Sequence, residues 1–215
     1  MTISEKRLHN STFINIKNDV GLEIELCSMG AAIYSIRYGE RLLTFAPEDK
    51  ELFLHNLGYY GKTVGRIAGR VKDGLLKIHD KTYQLDINEH GKNTLHSGKA
   101  SWAFVDFKFE IKEEKDGINI IFTHFSKALE GGFPGDAFAT ITYFVYFDKP
   151  QFELIHHVDV SEDTIIALTN HAYYSIAKPG NIVLDHYLTI PADKYIHVDD
   201  LLILQGEDVY GSFCR

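Results

Sequence analysis

The chain has 215 residues, a net charge of −8 and a pI of about 5.7, so it lacks the basic surface that a phosphate backbone requires, and nucleic acid is excluded as a partner. Its 45% hydrophobic and 24% charged content is that of an ordered globular chain rather than a disordered one, and no apolar run approaches the roughly 20 residues that span a bilayer. Cys27 and Cys214 are too few for a disulfide framework, and MTISEKRLHN at the start has no apolar signal core, so a soluble cytoplasmic protein is expected.

The dominant hydrophobic period is two. Strands are expected first over Thr12–Ile16, Leu22–Cys27 and Ala32–Arg37, where β-branched and apolar residues alternate with polar ones. Pro47–Leu54 offers a short helical turn at most. Leu75–His79 and Thr82–Leu85 follow as short strands. Between Val105 and Ile111 the odd positions are apolar and the even ones charged, which predicts a half-buried strand. Lys115-Asp116-Gly117 then turns the chain into Ile118–Phe122. Phe138–Phe147 is closed by Asp148-Lys149-Pro150, after which Gln151–Val160 runs back. Ile165–Thr169, Ile182–Leu184 and Tyr187–Ile190 complete the expected strands. Many short strands between Gly, Asp and Asn clusters predict an all-β antiparallel sandwich or barrel, with residues 1–215 as a single domain.

Four segments place glycines and polar residues where a plain strand has no need of them. Gly61-Lys-Thr-Val-Gly65-Arg66-Ile-Ala-Gly69-Arg70 allows close backbone approach and offers two guanidinium forks suited to hydroxyls or carboxylates. The plain alternative is a surface turn with two solvated arginines. Asn93-Thr94-Leu95-His96-Ser97-Gly98 sets an imidazole and an amide in a turn, where a histidine either exchanges protons near neutral pH or satisfies backbone groups. Leu168-Thr169-Asn170-His171-Ala172-Tyr173-Tyr174 puts a titratable ring beside aromatic faces, the pairing that covers the C–H side of a sugar while polar groups take its hydroxyls. A core histidine among tyrosines is the competing reading. Gly131-Gly132-Phe133-Pro134-Gly135-Asp136 is a dense turn signal and no more.

Metal chemistry finds no support in the spacing. His156 and His157 are neighbours on a strand and point to opposite faces. His156 shares its parity with Phe152, Leu154 and Val158, which predicts burial. The two distant cysteines give no zinc pattern.

In this order the segments resemble the aldose 1-epimerase family. The family pattern G-R-x-A-N-R is similar to Gly65–Arg70, N-x-L-H-G-G to Asn93–Gly98, G-[YF]-P-G-[DN] to Gly132–Asp136, and T-N-H-x-Y-F-N-L to Thr169–Ile176. Pro191-Ala192-Asp193-Lys194-Tyr195 with Asp199 and Gly206-Glu207 is similar to a further family segment. The resemblance implies a large β-sandwich of the galactose mutarotase type, incomplete at its C-terminus, with a sugar bound in an open cleft on one sheet. It implies no cofactor and no metal. His171 becomes the general acid at the ring oxygen, His96 its support, and Arg70 a holder of sugar hydroxyls. Asn93, Tyr173 and Ser175 are the further expected sugar contacts. The activity implied is interconversion of the anomers of free hexoses such as glucose and galactose, with a carbohydrate-binding protein as the alternative.

This chain departs from the family pattern in several places, among them Tyr174-Ser175-Ile176, which replaces Phe-Asn-Leu. The family's general-base glutamate and a sugar-binding aspartate lie beyond the matched segments, so neither has a counterpart here and Glu207 and Asp208 do not replace them. The isolated chain is therefore expected to turn over poorly. Gly69 stands where the family often has asparagine, and Ser97 replaces a glycine.

Overall fold

Side chains that alternate in polarity need two opposed surfaces, and here they build two antiparallel sheets with a shared core. The computed structural model describes residues 1–55, 58–176 and 183–210. The first sheet runs in sequence order through β1 (Thr2–Leu8), β2 (Ser11–Lys17), β3 (Leu22–Cys27), β4 (Ala32–Tyr38) and β5 (Arg41–Leu42). The second contains β6 (Lys108–Glu113), β7 (Gly117–Ser126), β8 (Ala137–Tyr146) and β9 (Phe152–Val160), again in order. Every neighbour pair in both is antiparallel.

The inner faces meet in one cluster. Ile14, Ile16, Ile24, Leu26, Ile33 and Ile36 come from the first sheet, and Ile120, Phe122, Ile141, Tyr143 and Val145 from the second. Strand β8 shows the rule most cleanly. Ala137, Ala139, Ile141, Tyr143 and Val145 are buried, while the residues between them are exposed or half-buried. The outer face of the first sheet is covered too, because the helix α1 (Lys50–His55) lays Phe53 and Leu54 against Phe13, Cys27 and Ala32. Trp102, fully buried in a 3-10 turn at Trp102–Phe104, plugs the core between the sheets.

The sequence expectations hold for the long strands and shift at the irregular ones. Val105–Ile111 does not begin as a strand. Phe107 N–H is bonded to Ser28 O and the ladder starts at Lys108. Ile165–Thr169 contributes a single parallel bridge, Ala167 to Ile67, before a two-residue strand at Thr169–Asn170. Among the described residues Tyr187–Ile190 has no strand partner and Val183–Asp185 is a 3-10 turn, while Ile182 lies outside them. His156 is half-buried on the inner face of β9, as its parity predicts, and its Nε2 has no partner among the described residues.

Candidate functional site

The segment from Gly61 to Val71 is the rail on which the site is assembled. On one side Thr169–Asn170 pairs with Thr63–Val64. The ladder continues as His171 N–H bonds Lys62 O at 2.9 Å and Gly61 N–H bonds His171 O at 3.0 Å. On the other side Thr94–Leu95 pairs with Arg70–Val71, and His96 N–H reaches Gly69 O at 2.9 Å. Two segments 75 residues apart in sequence (His96 and His171) are thus hung from one backbone. Gly61 is needed for this: at φ +64° a Cβ would lie 1.7 Å from Ile33 O, a distance no side chain can occupy.

The imidazoles of His96 and His171 meet edge to face, with ring centroids 5.4 Å apart. Tyr59 packs on both, 4.7 Å from His96 and 5.9 Å from His171. Tyr173 lies 5.2 Å from His171, with its hydroxyl donating to Gly58 O at 3.2 Å. The result is a half-buried pair of titratable rings walled by aromatic faces, which suits a ligand with alternating C–H and O–H surfaces.

The two histidines differ in chemistry. Gly69 N–H donates to His96 Nδ1 at 3.0 Å, which leaves the ring proton on Nε2 when the ring is neutral. Burial, then the neighbouring His171 and Arg70 charges, lowers the His96 pKa to about 4 against a small opposing pull from Glu89. His96 is therefore a neutral donor at pH 7 rather than an acid. Its backbone is unusual as well, since His96 and Ser97 have φ of +51° and +70°, a region L-residues enter rarely and mostly where surrounding contacts impose it. Ser97 supplies those contacts by accepting Ile67 N–H at 2.8 Å and donating to Ile67 O at 3.1 Å.

Arg70 lies beside this pair, and its guanidinium is gripped by Glu89. Nε donates to Glu89 Oε2 at 2.8 Å and Nη2 to Oε1 at 2.7 Å. The remaining expected residues divide. Tyr173 joins the imidazole pair. Asn93 is fully buried, accepts Asp73 N–H on its Oδ1 at 3.1 Å and carries a buried Nδ2 with no partner among the described residues. It sits under the turn that presents His96 rather than on an open wall, because a 0% exposed side chain has no ligand-facing surface. Ser175 follows the two-residue strand Tyr173–Tyr174, with its N–H on Leu43 O at 2.9 Å.

Arg66, offered by the sequence as a second ligand fork, is 1% exposed. Its guanidinium donates to Ser126 Oγ, Ser126 O, Lys127 O, Pro134 O and Gly135 O. It clamps the rail to the Gly131–Asp136 turn. Sequence reasoning missed Tyr59 and Glu89. Tyr59 sits in Gly58-Tyr59-Tyr60-Gly61 and Glu89 in Asn88-Glu89-His90, and only the folded register brings them to the imidazoles. A surface hollow of about 510 Å³ lined by Ile78, His79, Lys81, Tyr83 and Asp163 lies on the hairpin of residues 75–84 and shares no lining residue with this site. Among the described residues no group of three or more His, Cys, Asp or Glu could hold a metal ion.

Residues 12–210 match the family model described as aldose 1-epimerase. A galactose mutarotase from Sus scrofa is 32% identical over 194 residues, covering 86% of this chain and 54% of that protein. A solved galactose 1-epimerase from Lactobacillus acidophilus superposes with a TM-score of 0.86 at 22% identity, over 97% of this chain and 62% of the other. An aldose epimerase homologue from C. elegans gives a TM-score of 0.82 at 29% identity, over 93% of this chain and 61% of the other. The chain thus spans about half the length of the curated relatives it matches.

Proposed function

Because this chain belongs to the aldose 1-epimerase family, we propose that it acts as a mutarotase, interconverting the α and β anomers of free hexoses such as glucose and galactose. The observation that carries the reading is the edge-to-face pair His96–His171 between Tyr59 and Tyr173, with the Arg70 fork beside it. The sugar ring lies against the aromatic walls. His171 protonates the ring oxygen as general acid, and His96 donates from Nε2 to the same oxygen without itself changing charge. Arg70 takes ring hydroxyls, Tyr173 and Ser175 add contacts, and Asn93 supports from beneath. As the anomeric hydroxyl loses its proton to a carboxylate, which none of the matched segments supplies, the C1–O5 bond breaks, the aldehyde forms, and rotation about C1–C2 with reclosure gives the other anomer. A positioned acid of this kind contributes about 10²–10⁴-fold. The chemistry is proton transfer coupled to breaking and re-forming the C1–O5 bond, and it needs no cofactor.

Residues 1–215 act here as one sugar-binding β-sandwich domain. No helix among the described residues is long and apolar enough to cross a membrane, and a cytoplasmic setting agrees with the free thiol of Cys27.

One observation favours a second reading, a carbohydrate-binding protein without turnover. Glu89, the carboxylate whose charge is felt at His96, is already engaged by Arg70. Polarimetry of freshly dissolved α-D-galactose separates the two. A weak acceleration over the spontaneous rate that disappears in His171→Ala is the expected result, because the matched segments hold no counterpart of the family's general-base glutamate. Saturable sugar binding without acceleration would establish the binder instead, and neither binding nor acceleration would remove both.

A further inference from the structure

Glu89 sits on the turn between Asn88 and Asn93, and that turn is bonded at every side. Glu89 N–H and Asn93 O pair at 3.1 Å, and Asn93 N–H reaches Glu89 O at 3.0 Å. Asn88 Nδ2 donates to Leu95 O at 3.0 Å while its Oδ1 accepts Leu95 N–H at 2.7 Å. Thr94 Oγ1 donates to Asp86 O at 2.7 Å. The turn is therefore fixed to the strand that ends in His96.

From this base the Glu89 carboxylate, 11% exposed, receives three hydrogen bonds from Arg70. Oε1 takes two of them and Oε2 one, so both oxygens are committed to holding the guanidinium. Arg70 Nη1, with two N–H groups, has no protein partner among the described residues, and the side chain keeps 23% exposure. An arginine left to itself loses considerable rotamer freedom when it binds a ligand, whereas a fork already locked by a carboxylate presents its remaining donors at little further entropic cost.

We infer that Glu89 is a positioning residue for sugar recognition, fixing Arg70 so that the Nη1 donors stand ready for a sugar hydroxyl beside His96. The inference rests on the proposed sugar site. It also assigns Glu89 a holding role rather than that of the proton-accepting carboxylate, since both its oxygens accept hydrogen bonds from Arg70.

The test is the dissociation constant for D-galactose, measured by NMR titration of the full 215-residue chain. Glu89→Gln is expected to weaken binding about tenfold, within the range coupled neighbours show. Placed on an Arg70→Ala background, the same substitution should add no further loss, because its effect runs through Arg70. Glu89→Asp withdraws the carboxylate by one methylene and should fall between wild type and Glu89→Gln, and it stands in if Glu89→Gln does not fold. Wild-type affinity in Glu89→Gln or in its stand-in, or an equal loss with and without Arg70, would overturn the inference while leaving the sugar site intact. Absence of saturable binding by the wild-type chain would overturn both, and that outcome is distinct from either of the others.

Discussion

Asn170 shows how single residues set this site. Its Nδ2 donates to Gly61 O at 2.7 Å and to Tyr143 Oη at 3.3 Å, and its Oδ1 accepts Ala172 N–H at 3.1 Å. One amide thus ties the rail, the core tyrosine and the bend after His171 together. Asn170→Ala strands these partners, and unmade hydrogen bonds of this kind cost about 1–3 kcal/mol each. We expect a loss of roughly 2–4 kcal/mol in urea unfolding together with a weaker sugar response, and an unchanged midpoint would show the bonds to be dispensable. Cys27 gives a second residue-scale expectation. Burial pushes its pKa up to about 12, so the native protein should leave Cys27 unalkylated by iodoacetamide at pH 8, as read by peptide mass spectrometry. Rapid native labelling would contradict the burial. The histidines were legible in the sequence because each sits in an unusual polar context, Asn-His before tyrosines or Leu-His before Ser-Gly. Glu89 was not, since nothing in Ile87-Asn88-Glu89-His90 distinguishes it from a solvated turn until Arg70 is brought opposite it.

Among the elements, the rail of residues 61–71 is the one that relates the two histidines, and it was the least legible as structure. It forms only two-residue strands at Thr63–Val64 and Arg70–Val71, so it has no alternating run to read. Its glycines carried the signal instead. Gly61→Ala would drive a Cβ into Ile33 O, and relief requires the rail to leave the β4 backbone. The cost should reach about 3 kcal/mol or more, with His171 displaced as its ladder bonds to Gly61 and Lys62 break. A stable Gly61→Ala variant with wild-type sugar binding would mean that the rail does not set the site. Strands β7, β8 and β9 were readable because their alternation is long and their turns are polar. Strand β1 was not, because Thr2–Leu8 is almost entirely exposed and charged at Glu5, Lys6 and Arg7, as suits an edge that must avoid pairing with other chains.

At the scale of the whole molecule, burial of histidines couples folding to pH. His96 is lowered to about 4, and His124 and His156 are also lowered, all chiefly by desolvation. A histidine whose folded pKa lies below its unfolded value of about 6.5 binds more protons in the unfolded chain, so stability is complete above that pH and declines as pH falls toward 4. Thermal melts should therefore show Tm dropping across pH 6.5 to 4, and the drop should shrink when His124 or His156 is replaced by a neutral isostere. A flat Tm over that window would contradict the burial of all three rings. The sandwich itself followed from period-two patterning and could be expected without coordinates, whereas the meeting of Tyr59, His96, Arg70 and His171 depends on register across segments far apart in sequence. The claim on which the rest depends is that a sugar lies over the His96–His171 pair. The direct measurement is a histidine ring ¹H–¹³C NMR titration with D-galactose. Saturable shifts at His96 and His171, with exposed His79 and His157 unmoved, are predicted. Shifts confined to His79, or no shifts at all, would contradict the account.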